Sequence, residues 1–156
     1  MRRKDREVTD IKEIESIISR ADVCRVALAN GNTPYIVVMN FGYSGEPDRR
    51  IFFHCAKKGK KLDMIRQNSY ICFEFDTDHS LYVGRNACDF GMSYSSVVGW
   101  GNIVIITDDK EKSLGIDFIM RHYSGRSDYS YVQEVFEKMI VLRLDVLEMT
   151  GKKCWY

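Results

Sequence analysis

The sequence predicts a mainly β protein, an antiparallel β-barrel with two or three α-helices packed outside it. Six or seven β-rich runs follow one another through short connections, and helical periodicity occurs in only two or three places. The regular strand-helix alternation that a parallel sheet requires is missing. With 156 residues, 45% of them hydrophobic, the chain can bury one sizeable core. No repeat, low-complexity stretch or linker-like shift in composition interrupts it, so a single domain is expected over residues 1–156.

Each element has a local reason. Residues 10–21 carry Ile11, Ile14, Ile17, Ile18 and Ala21 at helical spacing, with Asp10 and Glu13 placed as a capping box. Residues 23–29 and 35–41 are β-rich runs joined by Asn30-Gly31-Asn32, a hairpin turn signal. Residues 42–50 read as a loop and residues 51–56 as a third strand. The turn Lys57-Lys58-Gly59-Lys60-Lys61 leads into a short helical stretch with Leu62 and Ile65 three apart, ending near Asn68.

Residues 70–75 form the next strand and residues 81–83 a further candidate. The segment through Cys88 and Met92 shows no clear period. Residues 95–107 read as a long strand interrupted by Gly99 and Gly101, which signals a bulge or a close approach. Asp108 with Glu111 opens a second helix through Tyr123. Asp128 is placed to cap a short third helix that turns Val132, Val135 and Phe136 inward, and residues 139–147 alternate as a closing strand.

Composition excludes several functions. Lys and Arg number 23 against 22 Asp and Glu, so the net charge of +1 supplies no field to gather nucleic acid or an anionic membrane. No apolar run approaches the roughly 20 residues of a membrane span, and the charged start, Met-Arg-Arg-Lys-Asp-Arg-Glu, lacks a signal-peptide apolar region. The expected location is cytoplasmic. The five cysteines are scattered and lack Cys-x-x-Cys or paired-His spacing, which argues against a disulfide framework and a metal site. Serine triads, paired carboxylates, phosphate-binding loops and dinucleotide fingerprints are also absent from the pattern.

Chemistry concentrates after the third strand. Lys57, Lys58, Lys60 and Lys61 place four cations at the start of a helix, where the backbone dipole is already positive and acids are preferred by roughly 0.3–1 kcal/mol each. Either an anion such as phosphate sits there, with Gly59 letting the backbone approach it, or the lysines are a solvated patch. Strand alternation puts Phe52, His54 and Ala56 on one face and Ile51, Phe53 and Cys55 on the other, leaving His54 beside the turn. His54 then serves either as a positioning group or in acid-base chemistry. Residues 35–41 are apolar on both faces, as in a strand covered on each side, except for Asn40. That amide needs a partner, either a loop or the polar edge of a planar ring. Tyr94-Ser95-Ser96-Val97-Val98-Gly99-Trp100-Gly101 offers small residues around a Trp, a surface for a flat aromatic ligand or another subunit.

The run from Ile51 through His54-Cys55-Ala56 to Lys60-Lys61-Leu62-Asp63 is familiar. Together with residues 34–41, Ala87-Cys88 and residues 94–101, it resembles the flavin-binding split β-barrel proteins of the pyridoxamine 5′-phosphate oxidase-like superfamily. Within it, the resemblance is to the group named for 5-nitroimidazole antibiotic resistance, and it spans nearly the whole chain.

The resemblance implies FMN, with FAD as the alternative, its phosphate held by Lys60 and Lys61 and with His54 and Cys55 nearby. The ring would lie along Val37, Val38, Met39 and Asn40, and Ser95, Ser96, Val97 and Trp100, partly from a second subunit, would close the site. It therefore also implies a homodimer with the cofactor at the subunit interface. Family members also use such turns for deazaflavin or haem. The Arg- and Pro-containing end by which the vitamin-forming oxidase grips pyridoxamine phosphate is not matched by residues 149–156, so that substrate is not implied. The expected function is a flavin-dependent oxidoreductase acting on a small molecule, nitro-aromatic reduction being what the group name implies. A flavin- or haem-binding module without turnover, a sensor or carrier, is the alternative.

Overall fold

A computed structural model describes residues 3–155; Met1 and Arg2 of the charged start, and Tyr156, lie outside the described residues. The strands are β1 (Glu7–Val8), β2 (Cys24–Asn30), β3 (Thr33–Met39), β4 (Phe41–Ser44), β5 (Arg50–Ala56), β6 (Tyr70–Tyr82), β7 (Gly91–Ile105) and β8 (Met139–Cys154). The helices are α1 (Ile11–Arg20), α2 (Lys60–Gln67), α3 (Asp109–Ser124) and α4 (Gln133–Lys138).

All strand pairs are antiparallel, in the order β3-β2-β6-β7-β8-β5-β4, with β1 added to β8. The two ends of that order, β3 and β4, are separated in the chain by Asn40 alone. A flat sheet cannot satisfy this, because its first and last strands would stand six interstrand steps of about 4.8 Å apart. The sheet therefore curls into a barrel whose seam is closed by the covalent chain at Asn40. This is the predicted barrel, and the seam is the split.

The barrel interior holds the larger apolar cluster, including Phe41, Phe53, Phe73 and Phe75, all wholly buried. Burying each such ring contributes on the order of 1.5–3 kcal/mol. Helix α1 adds Ile14, Ile17 and Ile18 to it, and α2 adds Leu62, Met64 and Ile65. A second cluster lies outside β5 and β8, where Phe52 and Val141 meet Ile116 and Ile119 of α3 and Phe136 of α4. The alternation of β5 thus matches its sequence, with Ile51, Phe53 and Cys55 in the barrel and Phe52 beneath α3.

The structure differs from the sequence reading in particular places. Residues 42–50 begin as strand, because β4 continues through Ser44 against Arg50. Residues 70–82 are one strand whose register shifts between Thr77 and Ser80, and β8 runs on to Cys154 along β7. The interruption expected near Gly99 and Gly101 is a register shift between Trp100 and Gly101. Asp10 caps α1 through the Lys12 N–H rather than in a box, since Glu13 pairs with Lys153. Asp128 pairs with Arg126 and does not cap α4, whose N-cap is Val132. Of the three residues expected inward there, only Phe136 is buried; a helix of six residues has room for one inward turn.

Candidate functional site

The ladder between β4 and β5 runs from Ser44–Arg50 to Phe41–Phe53 and stops. One step further along each strand stand Asn40 and His54, and there the strands part: Met39 pairs instead with Cys24 of β2. Beyond this point the β4-side edge of residues 54–56 has no ladder partner among the described residues. The edge of β3 turned away from β2 is likewise free. Two facing strand edges thus offer backbone N–H and C=O groups to a guest, since such groups rarely go unpaired.

Val37 and Met39 turn toward the barrel, and Met39 is buried in it. Ile36 and Val38 point outward and are 65% and 56% exposed. The expectation that this strand is covered on both faces is therefore not met within one chain. Asn40, between the two strands, is exposed.

His54 also faces outward and is exposed, in a groove of about 400 Å³ lined by His54, Cys55, Ala56, Val135, Lys138 and Met139. The last three come from α4 and the start of β8, brought there by the pairing of Ala56 with Met139. Sequence reading missed them, because a register joining residues 56 and 139 leaves no local signal. Cys55 points inward; burial pushes its thiol pKa up while the Lys61 charge pulls it down. It is a packed thiol rather than a thiolate.

The lysine turn closes the cleft at one end. Gly59 is the N-cap of α2 with φ +145°, a backbone state that glycine adopts without strain, and no side chain caps the helix there. Asp63, the acid of the first turn, is engaged by Arg66. None of Lys57, Lys58, Lys60 or Lys61 pairs with a carboxylate among the described residues. The Lys60 ammonium lies 4.7 Å from the centre of the Tyr35 ring on β3. Backbone dipole and lysines thus sum to an uncompensated positive end. The arrangement suits a planar, polar-edged group between the strand edges joined to an anion at the turn.

The Tyr94–Gly101 residues are not beside the split in one chain. Ser95 and Val97 are wholly buried, turned into the barrel. Ser96 and Trp100 face outward, but β2 and β6 lie between them and β3, an offset of about 14 Å at the usual strand spacing. The register aligns Ile36, Ala27, Cys72 and Trp100 in one outward row and Val38, Arg25, Glu74 and Val98 in the next. Trp100 therefore shares a face with the exposed side of β3. Among the described residues no group of three metal-ligating side chains is assembled, and no helix is long and apolar enough to cross a membrane.

Comparison with known proteins bears on this geometry. The family model described as pyridoxamine 5′-phosphate oxidase matches residues 10–153. A crystal structure of a candidate 5-nitroimidazole antibiotic resistance protein from Bacteroides thetaiotaomicron is 33% identical, over 94% of this chain and 86% of its own, with a TM-score of 0.82. The FAD and heme binding protein from Mycobacterium smegmatis superposes with a TM-score of 0.83 at 16% identity, over 97% of this chain and 74% of its own. The flavocytochrome Anf3 from Azotobacter vinelandii does so at 0.79 and 19%, over 100% of this chain and 72% of its own. The last two show the shared fold. No curated protein matches the chain.

Proposed function

Because the chain belongs to the pyridoxamine 5′-phosphate oxidase family, we propose that its split holds a flavin and that the protein is a flavin-dependent oxidoreductase. The observation that carries this is the pair of free strand edges ending at a lysine turn without carboxylate partners. FMN fits that charge distribution, its phosphate at Lys60 and Lys61 and the N–H groups of α2. The Val37, Val38 and Met39 backbone and the Asn40 amide would hydrogen-bond the polar edge of the ring. A bound flavin supplies the electron-transfer chemistry, as hydride or single electrons.

The chain itself supplies orientation and electrostatics. His54 borders the cleft at the end of the β4–β5 ladder, where its imidazole can hold or pass a proton at a ring nitrogen to a molecule in the adjoining groove. The groove is largely apolar, with His54 and Lys138 as its polar side chains, which suits a small flat acceptor bearing oxygens, such as a nitro-aromatic compound. The relative named for 5-nitroimidazole resistance supports that substrate class.

We also propose a homodimer. The outward face of β3, with Ile36 and Val38 exposed, continues through the row that ends at Trp100. A two-fold copy packed on this face would bring its Ser96 and Trp100 toward the split that the chain's own β7 does not reach.

The test begins with the absorption spectrum of the purified protein and the mass of what denaturation releases, which separates FMN, FAD, deazaflavin and haem. Anaerobic reduction followed by mixing with a nitroimidazole or a quinone then reads turnover. Reoxidation faster than in an acceptor-free control supports the oxidoreductase. Indifference to every acceptor assigns the chain to flavin carriage or sensing.

A further inference from the structure

Lys112 of α3 is buried, with 7% of its surface exposed. Its ammonium donates a hydrogen bond to the carbonyl oxygen of Phe136 and lies 4.2 Å from the centre of the Phe136 ring. Two acids near it in sequence are engaged elsewhere: Asp108 caps α3 through the Glu111 N–H, and Glu111 pairs with Arg143. Burying a lysine against an aromatic ring costs more desolvation than burying a methionine, so packing alone does not explain the residue. What the ammonium adds is direction, because it holds one carbonyl in the last turn of α4, where a cation also meets the negative helix end.

Little else holds this segment. At six residues α4 is far too short to be stable alone, and Val132 and Val135 are 69% and 56% exposed. Apart from Phe136 and the Tyr131 ring against the outer cluster, it is fastened by the Tyr131 hydroxyl, which donates to Asp117 and contacts the Ser113 carbonyl, and by an exposed hydrogen bond from Arg121 to Ser127 Oγ. The stretch starts at Gly125, in left-handed conformation at the end of α3, and ends where Met139 joins the ladder with Ala56. Its last turn carries Val135 and Lys138, which face His54 across the groove.

We propose that residues 125–138 form a movable wall of the His54 groove and that Lys112 is the positioning residue that latches it. With the latch closed, Val135 and Lys138 define the groove's width and charge. When the ammonium lets go, the wall swings about Gly125 and Met139 and widens the groove beside His54. The functional meaning of the wall rests on the flavin reading above; the latch itself does not.

The experiment is amide hydrogen exchange, read by mass spectrometry, on the wild type, Lys112→Met and Tyr131→Phe, each as purified. Lys112→Met keeps the apolar stem and removes the donor, and is expected to speed exchange of residues 127–138 roughly tenfold, leaving β5 and β7 unchanged. Tyr131→Phe, which leaves the core intact, is expected to speed the same segment and serves if Lys112→Met fails to fold. The proton NMR signal of the His54 ring should shift in Lys112→Met while that of His79 stays in place. Unchanged exchange over residues 127–138, or a rise spread evenly through the barrel strands, overturns the latch. A segment-specific rise in a protein that carries no flavin upholds the latch and defeats the cofactor reading.

Discussion

Lys60, in the turn after β5, holds its ammonium over the ring of Tyr35 on β3, 4.7 Å from the ring centre. The contact joins the two walls of the split at the end where the positive charge gathers. Such a contact at a largely exposed site is worth about 0.5–1 kcal/mol, too little to justify four lysines in five residues. The anionic guest proposed above would account for the remainder.

Val38→Asp tests the subunit face. Val38 is 56% exposed in the single chain and lies on the outward side of β3, so a carboxylate there costs the monomer little. Against a second copy it would be buried beside its own symmetry mate or an apolar neighbour. Analytical ultracentrifugation should show a folded monomer where the wild type sediments as a dimer.

Acid sensitivity should be traceable to Asp78. Hydrogen bonds from Arg20 chiefly, helped by the charges of Arg20 and Lys153, hold its carboxyl below the ordinary value, although burial pushes the other way. A lowered folded pKa gives stability that is present above the unfolded value of about 3.9 and is lost as pH falls through the folded value. The pair is partly exposed, so roughly 0.5 kcal/mol is at stake. Asp78 has φ +60°, which asparagine also tolerates. Asp78→Asn should therefore lower the denaturation midpoint at pH 7, and its difference from the wild type should shrink as pH falls through the folded value.

Gly42→Ala should be far more damaging than its size suggests. A Cβ at Gly42 would sit 2.3 Å from the Phe118 carbonyl carbon and the Ile119 backbone nitrogen, where α3 crosses β4. Backbone atoms cannot rotate away, so α3 must move off the outer cluster, at a cost of about 3 kcal/mol or more. Chemical denaturation of Gly42→Ala is expected to show that loss.

His54→Ala separates site from scaffold. The imidazole faces the groove and its removal opens no core cavity, so stability should stay within about 0.5 kcal/mol of the wild type. Flavin reoxidation by a nitro-aromatic acceptor should slow by about tenfold or more if the ring holds or passes a proton. Stopped-flow absorbance beside a melting curve measures both.

Much of this was legible in local pattern. The helix spacing of Ile14, Ile17 and Ile18, the Asn30-Gly31 turn and the alternation around Phe52 and Phe53 each dictate their own structure. Lys60 and Lys61 stood out because their charge opposes the helix dipole. What stayed hidden depends on distant partners. Nothing near Asn40 announces that one residue divides two strands at opposite ends of a sheet, or that Met139 will stand beside Ala56. The inward turn of Ser95 and Val97 follows from pairing with β6 and β8, and the small residues around Trp100 gave no sign of it.

The most direct measurement is flavin retention in the double variant Lys60→Glu, Lys61→Glu. Both residues begin a helix whose buried side, Leu62, Met64 and Ile65, is untouched, so circular dichroism should match the wild type. The protein should elute from gel filtration colourless after incubation with FMN. A yellow variant that keeps a full complement of flavin would contradict the assignment of the cofactor phosphate to this turn.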